Sequence, residues 1–371
     1  MKRLGPIVIT TVLIGLLSAC SGLGPSVPAT GPAPAPPAGS PSSTPVPQIS
    51  AAAKAATADL GVQVFWHGVN DAWSVKNNGD RLLDYVVGLG ANSVGISFPI
   101  FTDGAWPTRV YTTADVTPTP ESLAELIRNA KARGLRVMLR PIIDEQNITG
   151  YASAWRGSIE PKNIANWFAS YRETLMPFLA ASQAAGAHTF VVGTELDSLV
   201  RQSAQWQALL TEAAGVFTGR LAYADNWGQW ATGRPGIAGA VPGLDAYPQL
   251  GLPDAATVAQ ITNAWTRWLQ KRPAELANTV VQEVGISATP GAYTQPARWA
   301  EHGQTLEPLI QGNWFAGACA AVKSLDMAGI YFWCLDAWAE PANAADYTAG
   351  SFIGRGDSAI QACFAAGWAG Q

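Results

Sequence analysis

The chain has 371 residues, of which 48% are hydrophobic and only 13% charged, and its net charge at pH 7 is −4. No basic stripe exists to attract nucleic acid or anionic lipid head groups, which argues against polyanion binding. The length suits one large domain or two ordinary ones, and barrels of alternating strands and helices use all of such a length as a single unit.

The N-terminus reads as an export signal. Lys2 and Arg3 form a positive start, residues 7–17 an apolar stretch, and Leu17-Ser-Ala-Cys20 a small-residue cleavage site that ends in cysteine. It resembles a bacterial lipoprotein signal: residues 1–19 would be removed and Cys20 would carry the lipid. An ordinary secretory signal is the alternative, and either way the mature protein is exported. The apolar stretch is too short to remain as a membrane span. Residues 20–57, rich in Pro, Ala and Ser, cannot bury enough surface to offset their ordering entropy and are expected to form a disordered tether. The folded domain is then 58–371. It would sit on the outer side of the cytoplasmic membrane or at the cell surface, held by lipidated Cys20 alone.

From residue 58 onward one alternation recurs eight times. Apolar runs at 62–66, 93–98, 136–143, 189–192, 221–224, 244–247, 279–283 and 329–335 read as buried strands. Helical periods fill 80–89, 120–134, 161–185, 202–217, 255–270, 306–325 and 359–366. The second is the clearest, with Leu123, Leu126, Ile127 and Ala130 on one face. Thr119 stands at its N-cap, Pro120 at its first position, Glu121 in its first turn, Arg133 in its last and Gly134 beyond. Pro177 should kink the third helix. Eight strand–helix units without hairpin signals predict a (β/α)₈ TIM barrel, an α/β fold. No glycine-rich nucleotide fingerprint follows the first strand, where Trp66-His67-Gly68-Val69-Asn70 stands.

Strand four runs apolar to Gly193 and hands over to Glu195, and strand seven runs into Glu283 and breaks at Gly285. Either glutamate alone could be a solvated edge residue or half of a structural ion pair. In a barrel, however, all strand C-termini converge on one mouth, and two facing carboxylates about 5 Å apart are what retaining glycoside hydrolysis requires. Trp66, Asp144, Asn226, Trp227, Tyr247, Trp333 and Asp336 stand at or near other strand ends and are candidate sugar-binding residues. Indole rings stack on sugars, although many of the fifteen Trp will fill the core. No Cys or His spacing suits a metal, and His67, His188 and His302 are scattered, so no metal or cofactor is expected. Cys319, Cys334 and Cys363 allow one disulfide with one cysteine left over, the pairing undecided.

The segments Gly193-Thr-Glu-Leu196, Tyr223-Ala-Asp-Asn-Trp227, Asp245-Ala-Tyr-Pro248, Gln282-Glu-Val-Gly285 and Tyr331-Phe-Trp333 resemble glycoside hydrolase family 113. That family belongs to the retaining (β/α)₈ clan, and its characterised members include β-mannanases. The resemblance spans roughly residues 60 to 340. It implies that Glu195 is the acid/base, Glu283 the nucleophile, Tyr247 the phenol bonded to that nucleophile, and Trp333 the platform beneath the sugar. Much of the clan has Asn before the acid/base where this chain has Thr194, which leaves the sugar 2-hydroxyl to Asn226 or a water. The implied partner is a mannan-like oligo- or polysaccharide, acted on by a monomer. The competing readings are a hydrolase of another β-glycan of the cell envelope, and a carbohydrate-binding lipoprotein that kept the barrel without turnover.

Overall fold

The computed structural model describes residues 58–150, 154–298, 300, 303–346, 350–365 and 368. The expected signal, Cys20 and tether lie outside the described residues, as do Tyr151 and His302. The strands are β1 (Asp59–Phe65), β2 (Ser93–Thr102), β3 (Val110–Tyr111), β4 (Arg136–Ile143), β5 (Thr189–Thr194), β6 (Arg220–Asn226), β7 (Val241–Asp245), β8 (Val280–Val284) and β9 (Gly329–Asp336). The helices are α1 (Ala72–Gly88), α2 (Pro120–Ala132), α3 (Ile164–Ala185), α4 (Ser203–Val216), α5 (Trp227–Ala231), α6 (Val258–Leu269), α7 (Pro308–Ser324) and α8 (Asp357–Phe364). All strands but β3 are parallel, and β1 pairs with both β2 and β9, which closes an eight-stranded barrel. The expected (β/α)₈ fold is therefore present.

Strand alternation decides what faces the barrel interior. In β1, Leu60, Val62 and Val64 join the large cluster beneath the helices, whereas Asp59, Gly61 and Gln63 point inward. Large interior side chains sit over glycines of the neighbouring strand. The Tyr331 ring occupies the space a Cβ on Gly61 would need, and the Gln63 amide does the same at Gly95. A bulkier residue at either position would force the strands apart. At the N-terminal end of the barrel, Asp59 accepts from Arg136 Nε at 2.8 Å and Arg220 Nη1 at 3.0 Å, joining three strands around the ring.

Helix boundaries follow their caps. Thr119 Oγ1 accepts from the Ser122 N–H at 3.1 Å at the start of α2, and Gly134 beyond its end takes φ +81°, both as the sequence predicts. α1 begins two turns before the expected 80–89, because Asp71 caps it through the Ser74 N–H at 2.9 Å. Its first turns hold Asn77, Asn78 and Gly79, which hide the helical period. α3 continues through Pro177 to Ala185. β3 and α5 were not predicted, since two and five residues are too few to show a period. The disulfide joins Cys319 on α7 to Cys363 on α8, leaving Cys334 in β9 free.

Candidate active site

Three of the strands that deliver the motif residues carry a register shift at or just before those residues. Between β7 and β8, Leu244 faces Val281 but the next residue, Asp245, faces Glu283, so Gln282 is an extra residue. Val281 packs toward the helices, and uninterrupted alternation would send Glu283 the same way. The bulge turns Glu283 inward beside Asp245 instead. In β5 the extra residue is Val192, since Val191 faces Ala222 and Gly193 faces Tyr223. Gly193 then lies under the Trp206 and Tyr223 rings. Glu195 follows with φ +54°, a left-handed backbone that costs a residue bearing a Cβ about 1–2 kcal/mol. In β9 the shift lies between the pairs Val62–Phe332 and Val64–Leu335, at Trp333 and Cys334.

The two glutamates meet at one mouth in different surroundings. Glu283 Oε2 accepts from the Tyr247 phenol at 2.6 Å, and Oε1 pairs with the fully buried guanidinium of Arg140, which also pairs with Asp245. Glu195 Oε1 accepts from Asn226 Nδ2 at 2.7 Å, and Oε2 accepts from Arg156 Nη1 at 2.7 Å. Burial raises the pKa of Glu195 above the usual carboxylate range; the charge of Arg156 opposes this and that of Glu283 adds to it. Burial and the adjacent Glu283 likewise push the Tyr247 phenol well up, so it stays a donor. Both carboxylates are thus held by donors, and burial in addition raises the pKa of Glu195, the direction that an acid role needs.

The remaining candidates divide. The Trp227 ring stands edge-on to Tyr247 with centroids 5.6 Å apart, and Asn226 Oδ1 also caps α5 through the Gly228 N–H at 2.7 Å. Trp333 is half-buried at the mouth, 6.0 Å from the Phe65 ring and 5.8 Å from the Arg140 guanidinium. Asp336, half-exposed, pairs with His67 Nε2 at 2.8 Å. Asp144 is buried, accepts from the Gln146 N–H at 2.7 Å, and has its pKa raised by burial. Trp66 needs correction. It follows the outward alternation of β1, is fully buried, and donates its indole N–H to the Val69 carbonyl at 3.2 Å, so no face is open to a sugar.

Arg140 and Arg156 were not among the candidate site residues. Arg140 had a visible signal: a charge in the middle of the apolar run that Arg136 opens and Ile143 ends. Arg156, in the loop after β4, had none. Beyond Glu195, Asp197 lines a polar cavity of about 470 Å³ with Arg201, Gln229 and Arg234, and its carboxyl pKa is pushed up to about 8, chiefly by burial and then by Glu195. Among the described residues no cluster could hold a metal ion.

The model of Glycoside Hydrolase Family 113 matches residues 62–351. The chain belongs to glycoside hydrolase family 113. It is therefore a glycoside hydrolase on a TIM barrel. Solved structures of two other members of glycoside hydrolase family 113 share the fold. A β-1,4-mannanase superposes with a TM-score of 0.69 at 18% identity, covering 84% of this chain and 99% of its own. The β-mannanase of Alicyclobacillus acidocaldarius in complex with ManMIm gives 0.68 at 16% identity, with 83% and 97% covered. The endo-β-1,4-mannanase of Thermotoga petrophila gives 0.50 at 13% identity, with 83% and 76% covered. No curated protein sequence matches the chain.

Proposed function

We propose that this protein cleaves a β-linked mannan with retention, Glu283 acting as nucleophile and Glu195 as acid/base. The observation that carries this reading is the pair of glutamates at one barrel mouth, one fixed by Tyr247 and Arg140 and the other raised by burial. Glu283 attacks the anomeric carbon while Glu195 gives its proton to the departing glycosidic oxygen. Water then attacks the glycosyl-enzyme, with Glu195 taking a proton back. Tyr247 and Arg140 hold the nucleophile in line, and Trp333 offers its ring to the sugar at the cleavage point. Mannan is favoured over other β-glycans because the family relatives of matching fold are mannanases. Trp73, Trp106 and Trp338 are exposed on the segments after β1, β2 and β9, at the same end of the barrel, which suits an extended glycan.

The test is a panel of β-linked manno-, gluco- and xylo-oligosaccharides with product analysis and NMR of the first anomer released. Manno-oligosaccharides should be cut with retention, and Glu283→Ala should release nothing. Preferred release from another series would replace the substrate, and inverted product would sink the mechanism.

We also propose that the enzyme works outside the cytoplasmic membrane, tethered by lipidated Cys20. The Cys319–Cys363 disulfide suits an oxidising compartment. Cys20→Ala should shift the protein from the membrane fraction to the soluble one; unchanged fractionation would refute the anchor.

A further inference from the structure

We infer that Arg156 is a positioning residue that pairs with Glu195 in the free enzyme and gives way to the leaving-group sugar when substrate binds. The inference rests on the roles proposed for Glu195 and Glu283. Both oxygens of Glu195 accept hydrogen bonds from nitrogen, Oε1 from Asn226 and Oε2 from Arg156, each at 2.7 Å. A general acid must present an O–H to the glycosidic oxygen, and the guanidinium at Oε2 favours the ionised form, which has none. Asn226 is anchored, because its other amide atom caps α5 at 2.7 Å. The contact that must open is therefore the one to Arg156.

The loop that carries Arg156 is built against Glu195. A Cβ on Gly157 would lie 2.8 Å from the Glu195 carbonyl oxygen, and the Ser198 hydroxyl donates to the Ile159 carbonyl at 2.7 Å. Arg156 itself has somewhere to go. Its Nε donates to the Ile143 carbonyl at 2.9 Å, and Nη2 lies 3.4 Å from the buried carboxylate of Glu145. A small swing trades the Glu195 contact for a closer one to Glu145 and keeps the charge paired. The charged and titratable groups around Glu195 are Arg156 with Glu145 behind it, Arg140 on β4, Asp245 on β7, Glu283 on β8 and Asp197. Arg156 donates directly to the carboxylate; Arg140 is engaged by Glu283 and Asp245.

The proton balance follows. In the free enzyme Glu195 is a carboxylate paired with the guanidinium. As substrate displaces Arg156, Oε2 takes a proton from solvent. That proton passes to the glycosidic oxygen as the C–O bond breaks; the carboxylate so formed takes a proton from the attacking water, and once the product leaves Glu195 returns that proton to solvent and pairs with Arg156 again. Glu195 then ionises at lower pH in the free enzyme than in the substrate complex, so the alkaline limb of kcat/KM lies below that of kcat.

The experiment compares wild type, Arg156→Gln and Arg156→Lys. With manno-oligosaccharide, Arg156→Gln should move the alkaline limb of kcat/KM up by about one pH unit or more, the effect of removing an adjacent opposite charge. The limb of kcat should stay in place, and Arg156→Lys should keep the wild-type gap. Carboxyl NMR titration of the ligand-free proteins, with Glu195 assigned through Glu195→Gln, should show the same upward move without any substrate. A rate loss with unmoved limbs, or a Glu195 titration identical in wild type and Arg156→Gln, overturns the inference. If wild type cleaves no manno-oligosaccharide, the proposed substrate fails, while the NMR titration still decides the pairing.

Discussion

Arg140 is fully buried between Glu283 and Asp245, so losing its charge leaves two buried carboxylates without the cation that pairs directly with both. Breaking one side of such a buried pair costs about 3–5 kcal/mol. Arg140→Leu should lower the stability read from urea unfolding by that amount and abolish activity; a loss under about 1 kcal/mol would show that the carboxylates need no cation. Tyr247→Phe removes one hydrogen bond to a charged group, worth about 1.5–3 kcal/mol, and should cut kcat/KM about 10- to 100-fold while the fold stays intact by circular dichroism. Asp197 tests linkage. Its carboxyl pKa is raised to about 8 in the native protein, so the folded chain keeps a proton that the unfolded chain sheds near pH 4. Stability therefore falls as pH rises through that window. Asp197→Asn should raise Tm at pH 8 more than at pH 5, and an equal change at both would refute the shifted carboxyl.

At the scale of the element, the βα loops set the reach of the cleft. Trp338 follows β9 by two residues and is half-exposed, and Asp336 ties its backbone N–H at 2.8 Å. On the proposed function, a ring so placed would offer a stacking surface for sugars beyond those at the cleavage point. Trp338→Ala should lower kcat/KM for mannohexaose about tenfold, some 1.4 kcal/mol, and leave the shortest cleaved oligosaccharide nearly unchanged. Equal losses on both would mark Trp338 as structural. Elements also explain where sequence reading erred. Trp66 ends an apolar run and stood out as a ring at a strand end, but strand parity sends it under the helices. Glu283 would have followed the same logic outward without the bulge at Gln282.

Across the whole molecule, the barrel closes through β1 and β9, and the last two helices are fastened by Cys319–Cys363. The bridge spans 44 residues and should contribute about 2–4 kcal/mol. A Cys319→Ser, Cys363→Ser variant should melt several degrees lower without losing activity, since neither sulfur is in the site; an unchanged Tm would show that α8 is held by packing alone.

The eight-unit alternation, the caps of α2 and the two glutamates were legible in the sequence because each depends on short-range pattern. Apolar period, cap chemistry and a strand's final residue are local properties. The choice of Cys319 with Cys363, the inward turn of Glu283, and the arginines that hold both carboxylates were decided only by the tertiary structure. Each depends on which distant segment lies alongside. A charge cannot show its partner until the chain has closed around both.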